Sequence, residues 1–333
     1  MSMVAGPRNL ITDIAGLKVG NAHSDRFATG VTVVLPDNRV VAGVDVRGGA
    51  PGTRDVAALD PACLVDSIDA IVLSGGSVFG LDAAGGVTSH LAAQGSGLSF
   101  AGHTIPIVPS AILFDLGFGP DKNWGQEPPY RQLGIAAAKQ AAMNFNIGNH
   151  GAGHGAIAGK LKGGLGSASC IYDAYTVGAL VAVNPVGSCL DPRTGDLWAR
   201  GFELQDEFGP APNHITRKLE LDPLGDSKLE GRHVGGNTTI AVVATDAVLT
   251  KAQATRLAIM AGDGMARAIR PLHTPFDGDT VFALATGEKA LGSNGPELLA
   301  MLGSMAADCL ARAIGRAMAS AETLHGVSAW RSV

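Results

Sequence analysis

Charge is scarce in this sequence. Asp, Glu, Lys and Arg make up 17% of its 333 residues, against about 25% in ordinary domains. The formal net charge is −5 and no basic stripe is present, which argues against a nucleic-acid partner. Aromatic residues are only 5%, so Ala, Val, Ile and Leu must fill any core. Cysteine is rare as well. Cys63, Cys170, Cys189 and Cys309 lie far apart and form no CxxC pair, so neither a zinc knuckle nor a dense disulfide framework is expected. Scattered core thiols in a reducing cytoplasm suit that pattern. No uninterrupted apolar run reaches the roughly 18 residues of a membrane span. The N-terminal stretch MSMVAGPRNLITD has no basic region followed by an apolar one, so no secretory signal is expected.

What the chain has in plenty is glycine, 46 residues, at roughly twice the usual share. No Gly-X-Y period is present, which excludes collagen. An apolar content of 46% excludes a disordered chain. β-Branched runs broken by turn residues predict strands at 17–19, 30–35, 40–46, 70–73, 179–186, 238–245 and 280–286. Ala-rich periodic segments predict helices at 133–142, behind a Thr250–Gln253 capping box, and at 298–319. Residues 203–234 are polar and weakly patterned, and read as a surface segment. The mixture predicts one layered α/β or α+β domain over 1–333.

The glycine-rich loops make no convincing nucleotide site. Gly155–Lys160 is one residue short of a Walker A loop and lacks the following Ser or Thr, and no GxGxxG opens a helix after a strand. His150 and His154 have i, i+4 spacing, but the glycines around them disfavour a helix, so no metal is expected. The Gly235-Gly236-Asn237-Thr238 turn is more informative, because it delivers a Thr to the start of an apolar strand. The plain alternative is a Thr common in β-structure. The chemical alternative is a self-cleaving Asn237–Thr238 bond that leaves an N-terminal Thr. Such a residue carries a hydroxyl nucleophile and an α-amine base together. Its amine has a pKa of roughly 7.7–8.0, close to working pH. Downstream, Asp277 and Asp279 flank Gly278 before the next strand, so in extended backbone both carboxylates point the same way.

These residues occur within a longer set of motifs: DVRGGAPGTR (45–54), LSGGSVFGLDAA (73–84), GKLKGG (159–164), NPVG (184–187), GGNTTI (235–240) and HTPFDGDTVFALATG (273–287). Taken together and in this order, the chain resembles the DmpA-type aminopeptidases: L-aminopeptidase/D-esterases, β-aminopeptidases and nylon-oligomer hydrolases. The resemblance runs from about Asn9 to about Ala319. It implies a four-layer αββα sandwich, like the N-terminal-nucleophile hydrolases but with DmpA-type connectivity. It implies self-cleavage into a large chain, 1–237, and a small chain, 238–333. It assigns Thr238 as nucleophile, Asp277 and Asp279 as its partners, Asn184 as an oxyanion donor and Lys160 as a site lysine. Gly48, Gly49, Ser74, Gly75, Gly76 and Phe114 are expected in the substrate loops. Phe114 stands where relatives carry Tyr, so no polar role passes to it. Asp115 reads as a structural acid rather than an amine binder.

The implied activity is release of N-terminal residues from short peptides or amides through an acyl-threonine, with no cofactor. An endo-acting hydrolase of 6-aminohexanoate oligomers is the alternative. The chain begins closer to the first shared motif than the nylon hydrolases do, which tilts the expectation toward peptide-like amides. An acyltransferase would use the same acyl-threonine, and a non-catalytic binding protein would never mature. The scattered thiols and the N-terminal stretch point to the cytoplasm, and the resemblance implies a homotetramer.

Overall fold

The computed structural model describes residues 2–212, 222–230 and 237–333. Gly235 and Gly236, the glycines expected to shape the turn before Thr238, lie outside the described residues. Two sheets dominate. In chain order their strands are β1 (Val4–Ala5), β2 (Leu17–Ser24), β3 (Thr29–Pro36), β4 (Val41–Val46), β5 (Thr53–Arg54) and β6 (Ile71–Ser74). They continue with β7 (Ser110–Ile112), β8 (Gly164–Tyr172), β9 (Tyr175–Asn184), β10 (Thr238–Ala247) and β11 (Thr280–Lys289). One sheet has the order β1-β8-β9-β10-β11-β4, the other β2-β3-β6-β7-β5. All neighbours are antiparallel except β10–β11 and β6–β7.

The strand period of two sorts the core into layers. Along β10, Ile240, Val242 and Ala244 join Leu180, Ala182, Phe282 and Leu284 against Val34, Ile71 and Leu73 of the second sheet. The intervening Ala241 and Val243, with Val181, Val183 and Ala283, turn outward. They meet helices α3 (Lys251–Ala268) and α4 (Gly295–Ser320) through Leu257, Met265, Leu310 and Ile314. Val31, Val33 and Val72 face the other way, onto Ala83 and Val87 of α1 (Asp82–Ala93) and Ala137 of α2 (Tyr130–Lys139). The result is the αββα sandwich, with every central strand buried on both faces, as the apolar runs require. The Thr250–Gln253 box caps α3: Gln253 N–H donates to Thr250 Oγ1 at 3.2 Å, and Thr250 N–H donates to Gln253 Oε1 at 2.9 Å.

Some expectations need correction. The glycine-rich segment that holds Gly155–Lys160 runs on into strand β8 and is not loop alone. Its small residues let α4 lie close: a Cβ built on Gly166 would fall 1.9 Å from the Ala313 carbonyl oxygen. The start of the supposed surface segment is docked. Phe208 is fully buried against Gly315, and Glu207 neutralises the fully buried Arg312 at 2.6 Å. Helix α4 is long and apolar enough by composition to cross a membrane. It is instead a core helix here, two-thirds buried over its most apolar window and carrying Arg312 and Arg316. Three cysteines are buried thiols as expected, but Cys63 is exposed.

Candidate active site

Thr238 opens β10 with the parity of Ile240 and Val242, so its side chain faces the gap between the sheets. Asn184, the last residue of β9, pairs directly with it across the antiparallel ladder. On the other side, β11 runs parallel to β10. The loop before it therefore arrives beside Thr238, and Asn237 bridges to Asp277. Topology thus collects three of the sequence motifs at one sheet end.

The contacts around the Asn237–Thr238 peptide are close. The Thr238 hydroxyl donates to the Asn237 carbonyl oxygen. Gly278 N–H points at both atoms, 3.1 Å from Thr238 Oγ1 and 3.3 Å from Asn237 O. Glycine is required there, because a Cβ would sit 2.7 Å from Thr238 Oγ1 and 2.7 Å from the Ala50 carbonyl oxygen. Gly48 and Gly49 pack behind this loop. Ala50 N–H donates to Asp277 O at 2.8 Å, Gly48 N–H to Asp279 O at 3.3 Å, and Gly49 N–H to Thr274 O at 3.3 Å.

Both carboxylates are buried. Asp277 Oδ1 accepts Val186 N–H at 3.0 Å, and its Oδ2 accepts Thr274 N–H at 3.0 Å and the Thr274 hydroxyl at 2.6 Å. Asp279 Oδ1 accepts Thr239 N–H at 2.7 Å, and Oδ2 faces His273 Nδ1 at 2.8 Å. Burial first, and the like charge of Asp279 second, hold the Asp277 carboxyl above its ordinary range.

Asn184 is held from three sides. Its Oδ1 accepts Ile157 N–H at 2.9 Å and Lys228 Nζ at 3.2 Å, and its Nδ2 donates to the Phe114 carbonyl at 3.0 Å. The amide proposed by resemblance to face an oxyanion is therefore turned to the Phe114 carbonyl. Phe114 takes part through its backbone carbonyl.

The lysines divide in an unexpected way. Lys160 is exposed and ion-paired with Glu230 at 2.7 Å. Among the described residues, no hydrogen bond joins it to Thr238, Asn184, Asp277 or Asp279. Lys162, two residues on, is fully buried and donates to the carbonyls of Gly153, Ala156 and Gly163 at 2.8–3.0 Å. Lys228 is the lysine that touches Asn184. Burial pushes its pKa down to about 7, opposed by the Asp277 charge. Sequence reasoning missed Lys228, because it lies in a polar stretch without motif or periodicity.

Ser74, Gly75 and Gly76 form a neighbouring cluster. The Ser74 hydroxyl donates to Gly75 O at 3.0 Å, and Leu113 N–H donates to Ser74 O at 2.8 Å, one residue before Phe114. Gly76 N–H and the Thr29 hydroxyl donate to the buried Asp115 at 2.8 and 2.6 Å. Burial raises the Asp115 pKa. These contacts give Asp115 a structural task, fixing the 74–76 turn.

Comparison with known proteins bears on the family and the fold. The profile of Peptidase family S58 matches residues 9–331. An uncharacterised aminopeptidase of Mycobacterium tuberculosis (strain ATCC 25618 / H37Rv) is 42% identical, over 98% of each chain. A 6-aminohexanoate-oligomer endohydrolase of Kocuria sp. (strain KY2) is 30% identical, over 85% of this chain and 76% of its own. Among solved structures, a Burkholderia sp. β-aminopeptidase superposes with a TM-score of 0.69 at 24% identity, covering 98% of this chain and 91% of its own. The L-aminopeptidase D-Ala-esterase/amidase of Ochrobactrum anthropi, described as a variant of the Ntn-hydrolase fold, gives 0.68 at 21% identity, covering 96% and 88%.

Proposed function

The chain belongs to peptidase family S58, a family of peptide hydrolases, and on that premise we propose that it cuts itself at Asn237–Thr238 and then acts as an aminopeptidase through Thr238. The observation that carries this reading is the placement of the Thr238 hydroxyl against the carbonyl of its own preceding peptide, with the Gly278 N–H aimed at the same carbonyl oxygen. In the self-cleavage, Thr238 Oγ1 adds to the Asn237 carbonyl carbon. Gly278 N–H supports the negative charge that develops on its oxygen. The C–N bond breaks, and the hydroxyl proton passes to the nitrogen that becomes the Thr238 amine. Water then hydrolyses the ester, leaving an Asn237 carboxylate and a free Thr238.

The new ammonium appears among buried carboxylates. Asp277 and Asp279 repel each other in the uncut chain, and a cation at Thr238 relieves that repulsion. Deprotonated, the same amine takes the Thr238 hydroxyl proton as Oγ1 attacks a substrate amide. The amine product leaves, and water releases the acyl group. Asn184, directly opposite Thr238 on the ladder, supplies a neutral N–H₂ donor once it exchanges the Phe114 carbonyl for the oxyanion.

Intact-mass measurement of the purified chain and of Thr238→Ala tests this reading. The wild-type chain yields two fragments, the smaller beginning with Thr238. Thr238→Ala stays one species of 33.8 kDa and loses hydrolysis of aminoacyl amides. Cleavage or hydrolysis that survives Thr238→Ala overturns it. Short peptides, 6-aminohexanoate oligomers and added amine acceptors, assayed in parallel, separate aminopeptidase from endohydrolase and acyltransferase.

A further inference from the structure

A second cluster of chemistry-bearing side chains lies outside the Thr238 centre. His154 caps the short turn Gly151–Gly153 and is almost fully buried. Its Nδ1 lies 2.9 Å from the Asn149 carbonyl oxygen. A carbonyl can only accept, so Nδ1 carries the proton and Nε2 of the neutral ring presents its lone pair. That Nε2 is buried and has no hydrogen-bond partner among the described residues. It faces Asp25, whose Oδ1 is 3.3 Å away. The His23 ring stacks on the His154 ring, with centroids 4.5 Å apart and planes 14° from parallel. One ligand atom from each of His23, Asp25 and His154 lies within 4.8 Å of the others.

We propose that His23, Asp25 and His154 bind a divalent transition-metal ion, with water completing the coordination. Ligands about 2.0–2.1 Å from a tetrahedral zinc are about 3.3 Å from one another, the spacing that Nε2 and Oδ1 already have. A carbonyl holding the far N–H of a ligating imidazole is the usual means of fixing its tautomer. His23 and Asp25 sit i, i+2 at the end of β2 and beyond it, and both are exposed. Their side chains are therefore free to close on an ion placed at His154, leaving its outer face to solvent. Two imidazoles and one carboxylate suit zinc and its neighbours rather than calcium or magnesium. His154 lies three residues before Ile157, whose N–H holds Asn184, so a bound ion would also pin that segment.

The test uses the full chain freed of metal by a chelator, with zinc followed by calorimetry and cobalt by visible absorption. One ion per chain is expected, with a cobalt band that Thr238→Ala retains. Asp25→Asn and His23→Ala change exposed residues and leave the fold intact. Each is expected to weaken zinc at least 10–100-fold, the loss known even for outer-sphere partners of a metal site. His154→Gln is expected to abolish binding, and His150→Ala to leave it unchanged. No zinc binding by the wild-type chain, or binding that survives both Asp25→Asn and His23→Ala, overturns the proposal. None of these outcomes depends on Thr238 being the nucleophile.

Discussion

At the scale of single residues, one backbone group stands out. Gly278 N–H reaches both the Thr238 hydroxyl and the Asn237 carbonyl, and it does so only because no Cβ intervenes. Gly278→Ala would press a methyl onto Thr238 Oγ1 and the Ala50 carbonyl and push the donor away. Loss of one such donor typically costs about 10²–10³ in rate. Self-cleavage of Gly278→Ala, followed by intact mass over time, is expected to slow by about that factor. A wild-type rate would remove Gly278 from the proposed chemistry. Thr238, Asp277, Asp279 and Asn184 were legible as short motifs, and the structure brings them to one sheet end. The contributions of Gly278 N–H, Phe114 O and Lys228 were not legible. The first two are backbone atoms, which any residue type carries. The third depends on where a polar segment folds back.

At the scale of elements, the pairing of β8 with α4 shows what glycine does in this chain. A side chain at Gly166 would meet the Ala313 backbone, so helix and strand lie almost in contact. Gly166→Val is expected to lower stability by at least the roughly 1–3 kcal/mol of an overpacked core, read as a shift of the urea midpoint. An unchanged midpoint would mean that α4 can move away freely. The same closeness explains which elements the sequence announced. Strands built from Val, Ile and Leu, such as β3 and β10, declare themselves by composition, and α3 by its cap. Strand β8 reads Gly-Leu-Gly-Ser-Ala-Ser-Cys, poor in β-formers, because packing beneath α4 and not local preference makes it a strand. Gly164 and Gly166 thus serve helix packing, since a Cβ on either would meet the α4 backbone at the Ala317 or Ala313 carbonyl.

At the scale of the whole molecule, the proposed cut falls at the start of an inner strand. β10 lies between β9 and β11, with α3 and α4 behind it and the second sheet in front. Residues 1–237 supply β9 and the whole second sheet with α1 and α2, and 238–333 supply β10, β11, α3 and α4, so the small piece buries its apolar faces only in core layers that it shares with the large one. The two are expected to co-elute in size-exclusion chromatography under native conditions and to separate only in denaturant. Native elution as two species would contradict this account of the core.

The position of Thr238 also has a meaning in time. Its hydroxyl meets Gly278 only after β11 has aligned beside β10, and Asn184 only after β9 has paired on the other side. An unfolded or half-folded chain holds neither neighbour in place. On the proposed reading, a free amine on Thr238 is therefore a lasting record that a given molecule once reached its native arrangement, and it persists even if that molecule later unfolds.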